Sequence, residues 1–409
     1  MTELSRAERQ ALKGLETGKL KLYSLEESLP ADLAAKVRLR FLEEKNKVSL
    51  KNVGLTVVTA SAVRGKNVEN FIGAAQIPLG VVGPLLVKGE HAKGEFYVPL
   101  ATSEGALLAT VNRGAGVISK SNGVKVRILK DAMTRAPVFR AQGIEHAQEM
   151  VSWVRENFEK IKKAAESTTT HGKLLDVKPF ITGRNVYLRF SFDTKDAMGM
   201  NMATIACDAA CGLIERETKS KCVSLSGNVC TDKKPAAINL IEGRGKTVVA
   251  EVVVSSEVVR KSLKSSVDGV VEINYRKNLQ GSALAGALSY NSHVANMIAG
   301  VFAATGQDLA QVTDSSLAIA SAEKLESGDL YFSLYLPALE VGTVGGGTGL
   351  PTQKECLELL GCAGSGKPPG ANSKKLAEII AATALAGELS TLAAQSAGHL
   401  APAHKRLGR

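Results

Sequence analysis

Hydrophobic spacing in the first fifty residues predicts two short helices. Each helix would present one apolar face, made of residues three or four positions apart. The first face is Leu4, Ala7, Ala11 and Leu15, and the second is Leu33, Val37 and Phe41. From Leu55 the pattern changes to short β segments separated by Gly-Pro turns. Segments 85–87 and 95–100 flank a polar turn, and we predict that they pair as a hairpin.

The middle of the chain predicts a compact insert of mixed structure. Val124, Val126 and Ile128 alternate as in a strand, and apolar positions in 144–165 have helical spacing. A strand-like segment, 185–192, then leads into an apolar helix from Ala197. This βαββα order indicates an α+β unit.

The remainder, from about Ser226, predicts helices around one further strand. We expect a long helix of small residues at 281–305 and a strand at 330–336. A glycine-rich loop at 342–349 and a C-terminal helix from about 373 to 400 follow. The fold class predicted for the whole chain is α+β.

Composition is typical of a soluble globular protein of two or three domains. The chain has 409 residues, of which 44% are apolar, and it shows neither a signal peptide nor the roughly 20-residue apolar run that a membrane span needs. Its six cysteines lack metal-site spacing and are typical of reduced thiols in a cytosolic protein. The charge of +11 is spread along the chain, and a small polyanionic ligand explains it as well as nucleic acid does.

The most informative segment is 231–239, in which Asp232, Lys233 and Lys234 precede Pro-Ala-Ala-Ile. Two adjacent lysines beside apolar residues predict a largely non-aqueous turn in which the cations need an anionic partner. The alternative is a lysine pair that extends into solvent from a loop edge.

Two acids and a histidine are further candidates for proton transfer. Glu104 lies where a strand meets an apolar helix, and desolvation there would favour the protonated form that a general acid needs. Asp308 follows the predicted long helix in similar apolar company. Glu104 is equally compatible with a role at a helix start. His399 and His404 are five positions apart, which does not suit a metal pair, so we expect one of them to deliver a proton.

Three glycine-containing segments are candidates for binding an anion. Segment 196–202 follows a strand and opens a helix whose first amides are free, although ordinary packing and capping explain it too. Segment 345–348 allows close backbone approach, but a plain turn is the alternative. Segment 361–367 nearly matches a P-loop, yet Pro368 replaces the required Ser or Thr and a helix precedes it, so a P-loop is not predicted.

Taken together, these segments resemble the 3-hydroxy-3-methylglutaryl-CoA (HMG-CoA) reductase family, in the class shared by eukaryotes and archaea. The match covers nearly the whole chain. The matching motifs are 69–73, 78–85, the Glu104 segment, 133–135, 196–202, 226–228 with 232–234, 306–308, 342–348 and 397–399.

The resemblance implies a reductive deacylation of HMG-CoA to mevalonate and CoA that consumes two NADPH in the mevalonate pathway. Lys233 would stabilise the oxyanion that forms on the thioester carbonyl. Glu104 would donate a proton to it, with Asp308 hydrogen-bonded between the two. His404, rather than His399, matches the histidine that protonates the CoA thiolate.

The resemblance also implies the ligand-binding residues. Those expected to hold the HMG moiety are Arg135, Ser226, Lys234, Lys277, Asn296 and Ser390. Tyr23, on a weaker match, would lie over CoA. Those expected at the cofactor are Asp196, Met198, Gly199, Met200, Asn201, Val344, Gly345, Gly346 and Gly347. Thr170 stands where family members often carry an arginine for the 2′-phosphate, so we hypothesise NADPH with reduced discrimination against NADH.

The implied architecture has a helical N-terminal domain (1–52) and a large HMG-CoA-binding domain (53–136 and 225–409) built around a long central helix. A ferredoxin-like cofactor domain (137–224) would be inserted in it. We expect a cytoplasmic homodimer with shared active sites, without a metal, nucleic acid or membrane partner, and a dimer of dimers stays open. Two alternatives remain: an enzyme that reduces another acyl-CoA, and a non-catalytic coenzyme- or nucleic-acid-binding protein.

Overall fold

The main feature of the fold is a sheet. We describe residues 4–398 of a computed structural model, and ten strands in this range form one sheet. The strands are β1 Leu79–Lys88, β2 Lys93–Ala101, β3 Val124–Arg135, β4 Val138–Arg140, β5 Lys173–Thr182, β6 Asn185–Asp193, β7 Lys221–Ser224, β8 Gly245–Val254, β9 Ile319–Lys324 and β10 Leu330–Leu339. Their order is β7-β4-β6-β3-β8-β10-β9, with the β1–β2 hairpin beside β3, and β5 beside β6. The predicted hairpin is confirmed.

Strand β3 connects the two halves of the sheet. Its residues 125–132 pair with β8, and residues 133–135 pair with β6. All pairings between these strands are antiparallel except the short parallel contact between β1 and β3. The strand therefore carries Arg135, at its end, to the boundary between the two halves.

Helices cover the sheet and also form a separate N-terminal group. They are α1 Arg6–Glu16, α2 Ala31–Asn46, α3 Lys51–Gly54, α4 Ala60–Val63, α5 Leu107–Lys120, α6 Ile144–Glu156, α7 Phe158–Glu166, α8 Met200–Thr218, α9 Ala237–Glu242, α10 Ser256–Val258, α11 Val267–Ile273, α12 Ser282–Leu284, α13 Val294–Thr305, α14 Val312–Ser315, α15 Pro351–Leu359 and α16 Ala371–Ser396. Short 3-10 turns occupy Leu22–Glu27, Leu309–Gln311 and Gly346–Gly349, and π-helical turns occupy Val259–Leu263 and Asn274–Gly281.

The predicted long helix at 281–305 is wrong, because a loop from 285 to 293 interrupts it before α13. Contacts with residues far away in the sequence keep this segment from forming a helix. The backbone of Tyr290 exchanges hydrogen bonds with that of Ala318 and Ala320, at 2.7 and 2.9 Å. The buried carboxylate of Glu388 accepts the amides of Ser292 and His293, at 2.8 and 2.6 Å.

Three smaller predictions also needed correction. The helix expected over 144–165 is two helices, α6 and α7, which break at Asn157. Helix α8 begins at Met200 rather than at Ala197. Ala7 and Leu33, assigned to buried helix faces, are exposed. The buried face of α1 keeps the predicted Ala11 and Leu15 and adds Leu12, and these residues pack against α2.

Helix α16 is the centre of the main core. Among the described residues it is the one helix long and apolar enough to cross a membrane, and its apolar window is completely buried inside the protein. It packs closely on α5, where a Cβ at Gly114 would lie 1.9 Å from the carbonyl oxygen of Ala386. Its buried Glu378 accepts amides of the β1–β2 turn. We therefore assign α16 as a core helix.

Buried apolar side chains form three main clusters. The largest joins α5, α13 and α16 to strands β1, β2, β3, β8, β9 and β10. A second lies between α6, α7 and α8 and strands β4, β5 and β6. A third is confined to α1, α2 and the turn between them.

Candidate active site

The loop between β7 and α9 has an unusual backbone. Asn228, Thr231 and Lys233 have φ values of 63°, 64° and 61°, in the left-handed region that side chains disfavour. Thr231 is β-branched, which makes its conformation especially costly. Its hydroxyl donates to the amide oxygen of Asn239 at 2.6 Å, so a buried contact holds the strained turn. Such strain clusters at functional sites because the surrounding structure imposes it.

This loop brings Lys233 to Asp308. The Lys233 Nζ lies 3.3 Å from the Asp308 carboxylate. Asp308 comes just after α13, and its other carboxylate oxygen accepts the amide of Ala310 at 3.1 Å. The lysine side chain is 48% exposed and Lys234 is exposed as well, so the expected non-aqueous turn is absent within one chain. The sequence misled here because the apolar residues after Pro235 continue into α9 rather than covering the lysines.

Glu104 lies apart from this pair. It is exposed in the loop between β2 and α5, and its amide donates to the Thr102 hydroxyl at 2.9 Å. Within residues 4–398 no hydrogen bond or ion pair joins Glu104 to Asp308 or Lys233. The expected burial of Glu104, and its expected hydrogen bond to Asp308, are therefore wrong for a single chain.

Arg135 has unused hydrogen-bonding capacity. Its side chain is 15% exposed, and its terminal nitrogen lies 3.7 Å from the carboxylate of Asp232, beyond hydrogen-bond distance. The Nε atom is buried and has no hydrogen-bond partner. A buried guanidinium with a free donor suits a carboxylate ligand, because a carboxylate accepts two parallel hydrogen bonds from the planar guanidinium. Ser226 and Lys234 flank the same loop, where the Lys234 ammonium donates to the Asp232 carbonyl at 2.9 Å.

Lys277 and Asn296 contact the segment just before α13, and Ser390 lies on α16. The Lys277 ammonium donates to Ser292 at 2.8 Å, and burial lowers the pKa of Lys277 although the charge of Glu388 partly offsets this. Asn296 lies 3.4 Å from the ring of His293.

Ser390 is completely buried, and its hydroxyl accepts from Arg113 at 2.9 Å. Tyr23 is 72% exposed on the 3-10 turn after α1. His404, and His399 with it, lie outside the described residues.

The predicted cofactor turn lies at the start of α8. Gly199 precedes the helix with φ 97°, and the helix has no side-chain cap, so its first amides are available to an anion. The loop at 344–347 lies alongside, through a parallel bridge between Ala197 and Val344. A Cβ at Gly345 or Gly346 would meet nothing within 4 Å, which leaves open space at that backbone. These features fit a dinucleotide.

Asp196 has a structural role that the sequence did not reveal. Its buried carboxylate accepts the amides of Gly366, Gly370 and Ser373 at 2.9, 2.7 and 3.0 Å. Gly366 belongs to the segment that resembles a P-loop, and Gly370 and Ser373 follow it, so these amides bind the protein's own carboxylate. This carboxylate fixes the turn to the start of α16, and the place of Asp196 in the cofactor-binding turn stays a prediction.

Other members of the cofactor set remain near this turn. Met198 and Asn201 lie before and within the first turn of α8, and Asn201 is exposed. Gly347 packs on Gly306, where an added Cβ would lie 2.7 Å from a carbonyl oxygen. Thr170 is exposed in the loop before β5, and the neighbouring Gly172 packs against Met202 of α8.

Comparison with known proteins identifies the family. A family model described as hydroxymethylglutaryl-coenzyme A reductase matches residues 34–409. The chain belongs to this family.

A 3-hydroxy-3-methylglutaryl-coenzyme A reductase of Pyrococcus abyssi is 52% identical over 396 residues, covering 96% of this chain and 97% of that protein. A 3-hydroxy-3-methylglutaryl-coenzyme A reductase 2 of Dictyostelium discoideum is 46% identical over 367 residues, covering 88% of this chain and 69% of that protein.

The fold also matches a solved structure within the reductase family. The class II enzyme of Streptococcus pneumoniae bound to NADPH superposes with a TM-score of 0.64 at 18% identity, covering 96% of this chain and 97% of that one. At this identity the similarity concerns the fold alone, and it confirms the predicted α+β class.

The sequence of this reductase-family chain did not reveal that Arg244 is buried behind the site. Arg244 is 0% exposed, and its guanidinium contacts Asp232 at 3.0 Å, Asp314 at 3.0 Å and Glu340. Burial acts to raise the pKa of Asp232, but the hydrogen bond from Gln311 and the charge of Arg244 outweigh it, and the pKa lies below its ordinary value. The available signal was Arg244 itself, a charged residue directly before the apolar strand β8.

Proposed function

We propose that the chain is an HMG-CoA reductase that converts HMG-CoA to mevalonate and CoA in the mevalonate pathway, using two NADPH. The observation that carries this proposal is the strained loop that holds Lys233 against Asp308 beside Arg135, whose buried Nε has no hydrogen-bond partner. In a chain of this family, that geometry supplies a cation for a developing oxyanion and a guanidinium for a free carboxylate.

The chemistry of the residues follows from their charges. NADPH supplies one hydride for the thioester and one for the aldehyde. Lys233 stabilises the negative charge that develops on the carbonyl oxygen in both steps, and Asp308 holds the ammonium in place. Glu104 donates the proton that this oxygen takes up. His404 protonates the CoA thiolate, which leaves only in the first step.

The substrate residues divide by the part of HMG-CoA that they would bind. Arg135 and Lys234 pair with the free carboxylate, and Ser226 lies on the same loop. Lys277, Asn296 and Ser390 are the other residues expected to contact the HMG moiety. The exposed Tyr23 provides an aromatic surface for CoA.

The cofactor binds at the first turn of α8, from Met198 to Asn201, and along the glycine loop from Val344 to Gly347. Free amides and the positive end of the helix suit its phosphates. Thr170 brings a hydroxyl but no charge to the neighbouring loop, so discrimination between NADPH and NADH is reduced.

We propose the class shared by eukaryotes and archaea and the domain division 1–52, 53–136 with 225–409, and 137–224. The two larger clusters support the boundaries of the inserted unit. A third lies within residues 1–52, although Ala31 and Ala35 also pack with Ala60 beyond that boundary. In the inserted unit, the element order β4-α6-α7-β5-β6-α8-β7 and the antiparallel neighbours β7-β4-β6-β5 support a ferredoxin-like arrangement. Helix α16 is the long central helix of the large domain.

A homodimer with shared active sites completes the proposal, and the cytoplasm is the proposed location. Glu104 is exposed and Lys233 half exposed in one chain, which is what a site covered by a second protomer requires. Segment 69–73 resembles the family's dimer contact, and Asn67 beside it donates to the carbonyl of Gly346 at 3.1 Å. The dimer contact would thus lie next to the cofactor loop.

The test is oxidation of the nicotinamide by the purified protein with HMG-CoA, run in parallel with NADPH and NADH. Released CoA is followed by thiol titration. Two NADPH consumed for each CoA support the proposal, and comparable rates with NADH support the role of Thr170. No oxidation with either cofactor would refute the activity, and a preference of several hundredfold for NADPH would refute reduced discrimination.

A further inference from the structure

The ion pair between Lys233 and Asp308 is too exposed to hold its own geometry. Its two side chains are 48% and 34% exposed, and ion pairs this exposed contribute little to stability. Positioning an oxyanion-stabilising group to within a fraction of an ångström needs a more rigid support. The support must act on the two backbone segments that carry the pair.

Arg244 contacts both of these segments from the buried side. On the lysine segment it donates to the carboxylate of Asp232, the residue before Lys233, at 3.0 Å. On the aspartate segment it donates to Gln311 at 3.2 Å and to Asp314 at 3.0 Å. Gln311 closes the triangle, because its amide donates to the same oxygen of Asp232 at 2.8 Å.

The guanidinium also reaches the cofactor turn. Its second terminal nitrogen lies 2.9 Å from the sulfur of Met200, the first residue of α8. The same nitrogen donates a hydrogen bond to the Asp232 carboxylate, so the Arg244 guanidinium joins the catalytic loop to the start of α8. A fixed planar fork makes such multiple contacts possible, whereas an ammonium is a point charge.

The pKa shifts of the buried charged groups behind the site agree with this arrangement. Burial raises the pKa of Glu340 well above its ordinary value, since Arg244 offsets the burial only in part. Burial also raises the pKa of Asp314. Burial acts to lower the pKa of Arg244, but Glu340, Asp232 and Asp314 outweigh it. The arginine therefore stays charged and Asp232 stays ionised.

We propose that Arg244 is a positioning residue of the reductase reaction, which rests on the proposed function. It holds Asp232 and the segment from Asp308 to Asp314 in one rigid unit with Met200. Lys233 is thereby kept in place relative to the bound nicotinamide. Arg244 touches neither substrate nor cofactor, and its effect is on the rate of the chemical step rather than on binding.

The test compares three variants of the full-length protein by steady-state kinetics and thermal unfolding. Arg244→Lys keeps the charge but loses the fork, and we expect kcat per folded chain to fall about 100-fold, as for a displacement of about 1 Å. The KM values for HMG-CoA and NADPH should stay within about threefold of wild type because the substrate-contacting groups remain.

Gln311→Leu removes one of the two side-chain donors to the same Asp232 oxygen, and we expect about a tenfold loss of kcat, the equivalent of one hydrogen bond. Arg244→Lys combined with Gln311→Leu should be no worse than Arg244→Lys alone, because both substitutions act through Asp232. Arg38→Lys is the matched control. Arg38 is a buried arginine of α2 that donates to the Leu22 carbonyl, and its replacement should lower stability without changing kcat.

A purely structural role for Arg244 predicts another result. Activity would then fall only with the folded fraction, kcat per folded chain would be unchanged in every variant, and only the losses of stability would add in the double variant. That outcome overturns the proposal. If Arg244→Lys does not fold, Gln311→Leu decides, and wild-type kcat in that variant overturns the proposal. A wild-type protein inactive on HMG-CoA refutes the proposed function itself and this inference with it.

Discussion

Replacement of Arg135 by glutamine is expected to weaken recognition of the free carboxylate of HMG-CoA. The arginine lies at the end of β3, its side chain is 15% exposed, and its buried Nε has no partner. Its nearest carboxylate, that of Asp232, is 3.7 Å away, so few existing contacts are lost with the side chain. Glutamine keeps polarity and part of the length but removes the charge and the planar fork.

The magnitude follows from the hydrogen bonds that the guanidinium would form. A hydrogen bond to a charged group contributes about 1.5–3 kcal/mol, and each 1.4 kcal/mol or so is tenfold in rate, so kcat/KM should fall roughly 10- to 150-fold. Because Arg135 has low exposure, solvent screening reduces the energy of these hydrogen bonds only slightly. The KM for NADPH should not change, because the cofactor turn lies on α8.

The assay is steady-state reduction of HMG-CoA and, separately, of mevaldehyde, which retains the carboxylate. We expect kcat/KM to fall for both substrates. Arg140→Gln, an exposed arginine on β4, is the control and should behave as wild type. If folded Arg135→Gln reduces HMG-CoA with a kcat/KM within twofold of wild type, the carboxylate-binding role is wrong, and a substrate without a free carboxylate becomes the better interpretation.

Three further predictions concern other parts of the protein. His404→Ala should abolish thioester reduction but largely keep mevaldehyde reduction, since only the first step expels a thiolate; equal loss in the two half-reaction assays would contradict that role. Gly114→Ala should destabilise the fold by several kcal/mol in thermal unfolding, on the order of an overpacked core, because its Cβ would lie 1.9 Å from the Ala386 carbonyl oxygen. Gly116→Ala is the control: its Cβ would meet open space, and it should stabilise α5 by up to about 1 kcal/mol. Asp196→Asn should lower the free energy of unfolding by about 3 kcal/mol, because the new side-chain NH2 group would face backbone N–H donors. Denaturant unfolding measures this, and an unchanged midpoint concentration would refute the structural role.

The sequence by itself determined the elements whose signals are local. Alternation at Val124 and Val126 predicted β3, and the polar turn between 85–87 and 95–100 predicted the β1–β2 hairpin. The helix expected before the segment that resembles a P-loop is α15. These predictions succeeded because periodicity and turn chemistry depend on residues only a few positions apart.

The sequence also determined which side chains are candidates for chemistry, but not their surroundings. The motif around Lys233 was visible, whereas the backbone conformation of the loop was not, because contacts such as that of Thr231 with Asn239 impose it. Asp196 was recognised at the correct turn, yet the function of its carboxylate depends on amides 170 to 177 positions further along the chain.

Tertiary structure alone decided the interruption at 285–293 and the network around Arg244. Local spacing predicted a continuous helix over 281–305, but Glu388, 95 positions from His293, binds the amides of the loop. Arg244 meets Glu340 from 96 positions away. The physical reason is common to both cases. A buried charge must find its partners wherever the fold brings them, and the energy of those contacts exceeds the small helical preferences that a sequence pattern records.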